Sequence, residues 1–161
     1  MAGGSGDPPL QRTRPRPSPG TLYAVQQLYR RMFRRFGPQH WWPARTPLEM
    51  MMGAILTQNT AWVNVERAIA NLRRASLLSA RRLAVVSRAR LEKAVRPSGY
   101  FRQKAARLQG FARHLRNRWR YDWRGMLVRR PLTLAREELL SLHGVGPETA
   151  DSILLYAAGR P

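Results

Sequence analysis

The sequence contains no cysteine. That absence removes disulfides, a cysteine-ligated zinc and a cysteine-held iron–sulfur cluster from these residues, and no cofactor is expected within them. No apolar run approaches the roughly 20 residues of a membrane-spanning helix. The N-terminal stretch lacks the apolar segment of a secretory signal, so the expected location is the cytoplasm, with association to the nucleoid if the source is bacterial. Acidic residues are few, nine against 29 lysines and arginines, and the formal net charge at pH 7 is +20. Lysine is rarer still: only Lys93 and Lys104 occur, and the other 27 basic residues are arginine. A biased base composition of the coding DNA would produce the same arginine-to-lysine ratio. It would not produce the excess of base over acid. His40, His114 and His143 have no ligand spacing, and no metal site is expected.

A chain this basic attracts polyanions, with nucleic acid the first candidate and an anionic membrane surface the second. Arginine adds a planar fork that pairs bidentately with phosphate. Hydrophobic residues make up 43% of the 161, enough for one globular domain with a core. Residues 1–20 are rich in glycine, proline and arginine and read as a disordered basic tail.

The remainder, 21–161, reads as helices, giving an all-α fold of short helices joined by tight loops. Over 21–36, Leu22, Val25, Leu28, Tyr29, Met32, Phe33 and Phe36 recur at helical spacing, and Gly37-Pro38 ends the run. Thr46-Pro47 opens a mostly apolar and therefore central helix, with Thr46 as N-cap and Pro47 at the first position. A helix over 60–74 is expected to turn Val63, Ala68, Ile69 and Leu72 inward. Short helices follow over 80–86 and 89–95, and Pro97-Ser98-Gly99 breaks the chain. A helix over 101–119 carries Ala105, Leu108, Phe111, Ala112 and Leu115 on one side. Two last helices, 134–142 and 147–158, flank His143-Gly144-Val145-Gly146.

That last segment is the most informative. Two glycines two apart permit backbone angles that other residues resist, and Pro147 suits a helix start. Helix, hairpin and helix leave backbone N–H groups unpaired, and such groups bind phosphate without reading sequence. A plain interhelical turn has the same outline.

Leu142 to Ala150 resembles the helix-hairpin-helix of the endonuclease III superfamily of DNA glycosylases, with the pattern Leu-x-Gly-Val/Ile-Gly-x-x-Thr/Ser-Ala. Gly53-Ala54-Ile55-Leu56-Thr57-Gln58-Asn59-Thr60 and Arg96-Pro97-Ser98-Gly99-Tyr100-Phe101-Arg102-Gln103-Lys104-Ala105 resemble two further segments of that family, in the same order. The flavour is that of the endonuclease III-type 3-methyladenine DNA glycosylases. The resemblance covers residues 23–161 and implies base-excision repair on double-stranded DNA, with no membrane and no obligate protein partner.

The resemblance also implies roles. Bifunctional members carry a lysine two residues after the second hairpin glycine, where it forms a Schiff base. Here that position is Glu148, so hydrolysis by a monofunctional enzyme is implied, with Glu148 in the base pocket. The alternative is a helix N-terminal glutamate favoured by the dipole. Gln58 corresponds to the side chain that fills the gap left by a flipped nucleotide. Trp62 and Trp42 correspond to aromatics that sandwich an alkylated, electron-poor base; core packing is an equal reading for Trp42. Gly144, Val145, Gly146 and Thr149 are the expected hairpin contacts to DNA. The family's catalytic aspartate would fall a few residues beyond Pro161, so the fold is expected to be incomplete at the C-terminus, and Asp151 is not its equivalent. A non-catalytic DNA-binding module and a bifunctional endonuclease III-like lyase are the alternatives.

Overall fold

The computed structural model describes residues 18–39 and 42–161. Residues 1–17 of the expected tail lie outside that range. Residues 18–20 do not belong to a tail: Ser18 caps the first helix, α1 (Pro19–Phe36), by accepting from the Thr21 N–H at 3.2 Å, and Pro19 takes the first turn. α1 and the residues up to Gln39 form one compact unit, and residues from Trp42 onward form a second. On α1 the apolar stripe from Leu22 to Phe36 is present at the expected spacing, and its large side chains are exposed. Tyr29 and Phe33 stack on one another at 5.9 Å.

The second unit is built around α2 (Pro47–Leu56). Thr46 accepts from the Glu49 N–H at 3.1 Å, the expected cap, and Glu49 through Leu56 are all buried. Because nearly every side of α2 is apolar, it takes neighbours all round. These are α3 (Trp62–Arg74), α6 (Phe101–Trp119), α9 (Pro147–Ser152) and the π-turn Ile153–Ala157 that continues α9. α4 (Ala80–Val85) and α5 (Arg88–Val95) pack on α6, whose Ala105, Leu108, Phe111, Ala112 and Leu115 are buried as the spacing predicts. The buried Gln109 fastens this layer by donating to the Val86 carbonyl at 2.8 Å. α7 (Trp123–Leu127) and α8 (Leu132–Leu140) complete the unit. The described residues contain helices and no strand, so the all-α class stands.

Some details differ from the sequence reading. Val63 is 50% exposed, whereas Val65 is fully buried. The inward stripe of α3 is Val65, Ala68, Ile69 and Leu72, and Val63 sits about 200° around the helix from Val65. α8 starts and ends two residues earlier than 134–142, and residues 147–158 divide into an α-helical turn and a π-turn. α7 escaped the sequence reading; its signal is Asp122, whose carboxylate accepts from the Gly125 N–H at 3.0 Å as an N-cap.

Two buried charges hold the unit together. Lys104, 1% exposed, donates its ammonium to the carbonyls of Leu56, at the C-terminal end of α2, and of Ser98. Burial, and then the neighbouring Arg107 charge, push its pKa below the ordinary 10.5. The Lys-Ala motif therefore works as a strut between α2 and the Arg96–Ser98 turn. Glu138 is 9% exposed and accepts from His114 on α6 (2.6 Å), from the Trp119 indole (3.0 Å) and from Arg130 (2.9 Å). Burial would raise its pKa, but these three donors outweigh burial and bring it down to about 2.

Candidate nucleic-acid interface and base cavity

Three separate stretches of chain meet at the hairpin. Residues 141–146 join α8 to α9, with Val145 turned into the core and Gly146 and Glu148 exposed. The Val145 N–H is used internally, donating to Leu142 at 3.0 Å, while the N–H groups of Gly144, Gly146, Glu148 and Thr149 have no partner within the described residues. Such a row of free donors could take an anion.

Gln58, at the turn between α2 and α3, ties into this hairpin. Its amide donates to the Gly144 carbonyl at 2.9 Å and to the Thr149 hydroxyl at 3.0 Å, and it accepts from the Arg107 guanidinium on α6. Thus three of the expected DNA contacts, Gln58, Gly144 and Thr149, form one network. Arg107 is its unforeseen fourth member. Gly144 has φ +80°, and a Cβ there would run into the Arg107 guanidinium. Glycine at 144 is therefore needed twice, for its backbone angle and for the approach of the guanidinium. Arg107 Nε is itself buried without a partner. Beyond Arg107 opens a cleft of about 400 Å³ lined by Arg88, Arg102, Gln103, Ala106, Arg107 and His143, with no carboxylate in its wall.

The tryptophans gather elsewhere in the same unit. Trp42 meets Trp62 edge to face, with ring centres 5.5 Å apart, and tilts against Tyr156 at 5.6 Å. Trp42 approaches α2 over Gly53, where a Cβ would sit 3.1 Å from the indole nitrogen. Both tryptophans line a cavity of about 230 Å³ together with Pro43, Arg45, Glu49, Glu66 and Arg73. Glu49 pairs with Arg73 at 2.8 Å, and the Trp62 indole N–H donates to Glu66 at 3.0 Å. Glu148 stands apart: it is exposed and does not belong to the wall of this cavity. Tyr156, Glu66 and Arg107 were missed by sequence reading. Glu66 is legible in retrospect because it lies four residues after Trp62, one helical turn on.

The described aspartates are both engaged. Asp122 caps α7 and pairs with Arg129. Asp151 receives two bonds from Arg136, at 2.7 and 3.1 Å, which hold its pKa below the ordinary value. Asp151 is thus a partner of α8.

A helical fold with a glycine hairpin offering free N–H groups, and a tryptophan-lined cavity elsewhere in the same unit, is that of a helix-hairpin-helix protein. Residues 52–154 match the HhH-GPD superfamily of base excision DNA repair proteins, and the chain belongs to that family. A protein of Methanocaldococcus jannaschii, provisionally named a DNA repair glycosylase, is 41% identical over 136 residues, covering 84% of this chain and 62% of the relative. Among solved structures, the H. pylori 3-methyladenine DNA glycosylase MagIII bound to 1,N6-ethenoadenine is 29% identical, with a TM-score of 0.71 over 86% of this chain and 65% of that one. A trapped endonuclease III–DNA covalent intermediate shares the fold, at 23% identity and a TM-score of 0.64 over 86% of this chain and 61% of that one. The chain spans about three fifths of the length of these relatives.

Proposed function

We propose that this chain grips duplex DNA and binds the flipped base for a monofunctional N-glycosylase acting on alkylated purines. The observation that carries the reading is the shared cavity of Trp42 and Trp62. Flipping takes a purine out of the stack, and two indoles meeting at one cavity offer it replacement stacking. The MagIII structure, bound to 1,N6-ethenoadenine, is a relative with a modified purine base as its ligand. Glu148 supports the monofunctional part: it occupies the position that carries the Schiff-base lysine in bifunctional members, and a carboxylate forms no imine. Asp122 and Asp151, each held by an arginine, are not offered as the hydrolytic carboxylate. Gln58 is assigned the gap-filling role. Its tether places it beside the hairpin donors, and entering a duplex requires giving up the bonds to Gly144, Thr149 and Arg107. The location proposed for it is the cytoplasm, with association to the nucleoid if the source is bacterial.

The test is fluorescence-anisotropy binding to a duplex bearing one alkylated purine and to the same duplex undamaged. Stacking contributes about 1–3 kcal/mol per base, so Trp62→Ala is expected to weaken lesion binding about tenfold while leaving undamaged binding nearly unchanged. Equal losses on both duplexes would assign Trp62 to the core instead.

A further inference from the structure

α5 turns its basic residues to two different sides. Arg88 lines the cleft that reaches the hairpin. Arg90 and Lys93 line another, of about 460 Å³, between α5 and the C-terminal end of α3. At about 100° per residue, Arg88 stands about 200° from Arg90 and about 140° from Lys93, whereas Arg90 and Lys93 are about 60° apart. The body of α5 therefore separates the two clefts.

The second cleft is built from both helices. Asn71 on α3 donates to the Ala94 carbonyl on α5 at 3.0 Å and accepts from the Arg74 guanidinium at 2.5 Å. Arg90 reaches back from α5 and donates to the carbonyl of Ala75, just past the end of α3, at 3.2 Å. Each arginine is anchored through one N–H, and its other donors have no partner among the described residues. Arg74, Arg90 and Lys93 are exposed, and the wall holds no carboxylate. Glu92, the acidic residue of α5, is held by Arg88 at 2.9 Å. The dipole at the end of α3 favours a cation such as Arg74 in its last turn, but Arg90 and Lys93 come from a different helix. Like charges gathered in one cleft repel, and a phosphate bound among them removes that repulsion. Such contacts reach the nucleic-acid backbone and carry no sequence information.

We propose that the cleft between α3 and α5 holds the phosphate backbone of a second segment of duplex DNA while the hairpin side holds the first, so that the protein passes from segment to segment without coming free. The inference rests on the reading of the hairpin as the grip on duplex DNA. It adds a second contact on the other side of α5. A second segment is favoured over a longer footprint on the same one because the two clefts face apart.

The experiment follows dissociation of the chain from a short fluorescent duplex, by stopped-flow anisotropy, as unlabelled duplex is added. Simple dissociation gives a rate independent of the competitor. Transfer through a doubly bound complex gives a rate that climbs with competitor concentration, and the wild-type rate is expected to climb. In Arg90→Ala/Lys93→Ala the climb should be lost, with affinity for one short duplex nearly unchanged. Arg102→Ala, on the hairpin side, should do the reverse, weakening affinity and keeping the climb. Lys93 anchors no helix end, so Lys93→Ala alone should already reduce the climb, which separates lost phosphate contact from a loosened end of α3. A wild-type rate indifferent to competitor, or a climb that survives in the double variant, refutes the second site and leaves the hairpin grip standing. So does a double variant that loses as much single-duplex affinity as Arg102→Ala, because the cleft then lies along the same duplex. If the wild type binds no duplex, both readings fall.

Discussion

Glu138 concentrates more of the fold's electrostatics than any other described acidic residue. Its ordinary pKa of 4.5 drops to about 2 in the folded chain. A carboxylate with a depressed folded value stabilises above its unfolded pKa, and that contribution disappears as pH falls from about 4.5 towards 2. Glu138→Gln leaves His114, Trp119 and Arg130 facing a neutral group. It is expected to cost about 3 kcal/mol at neutral pH, and to flatten the acid limb of the stability curve. Urea titrations at a series of pH values check both, and an unchanged acid limb would show that other carboxylates govern it. None of this was legible in the sequence, because His114, Trp119, Arg130 and Glu138 are scattered over 25 residues with no motif to join them. Trp62 was legible, since the Gln-Asn-Thr spacing fixes its place. Glu148 was legible as a position but not as a neighbour, for it lies outside the aromatic cavity that Trp42 and Trp62 share.

At the scale of elements, helical periodicity read the interior well and the ends less well. The bounds of α6 and its buried face emerged directly because five apolar residues repeat with one phase. On α3 a single early valine, Val63, misled by its type rather than its phase. The π-turn after α9 has no sequence signal, since one extra residue per turn shifts the register without changing composition. The hairpin was legible as a turn; the guanidinium beneath it was not. That guanidinium sharpens the contrast between the two glycines. Gly144→Ala meets both a left-handed backbone and Arg107, and is expected to lose about 2 kcal/mol or more. Gly146 has φ −90° and open space around it, so Gly146→Ala should cost well under that. Thermal melts of the two variants decide the matter, and equal losses would mean that neither the left-handed backbone nor Arg107 resists a Cβ at position 144.

For the molecule as a whole, the charge of +20 reads directly from composition, but its arrangement does not. The structure gathers Arg88, Arg102, Arg107 and His143 in one cleft reaching the hairpin, and Arg88 alone of these pairs with a carboxylate, Glu92 at 2.9 Å. Duplex binding should therefore weaken steeply with salt. Each phosphate neutralised adds about 0.9 to the slope of log K against log salt, and Arg102→Ala should flatten that slope by about one unit without altering lesion preference. Anisotropy titrations over a range of salt measure it; an unchanged slope would place Arg102 away from the DNA.

The strut at Lys104 bears on how this sequence tolerates its own composition. With arginine at 27 of 29 basic positions, the chain looks as though the two cations were interchangeable. On the surface an exchange costs bidentate pairing, as between Arg136 and Asp151, but leaves the packing alone. In the closed space between the carbonyls of Leu56 and Ser98 the two are not interchangeable, because a compact ammonium on a flexible stem fits there and a broad, planar guanidinium does not. Lys93 is exposed and could be exchanged for arginine freely; Lys104 is the lysine that the interior itself requires.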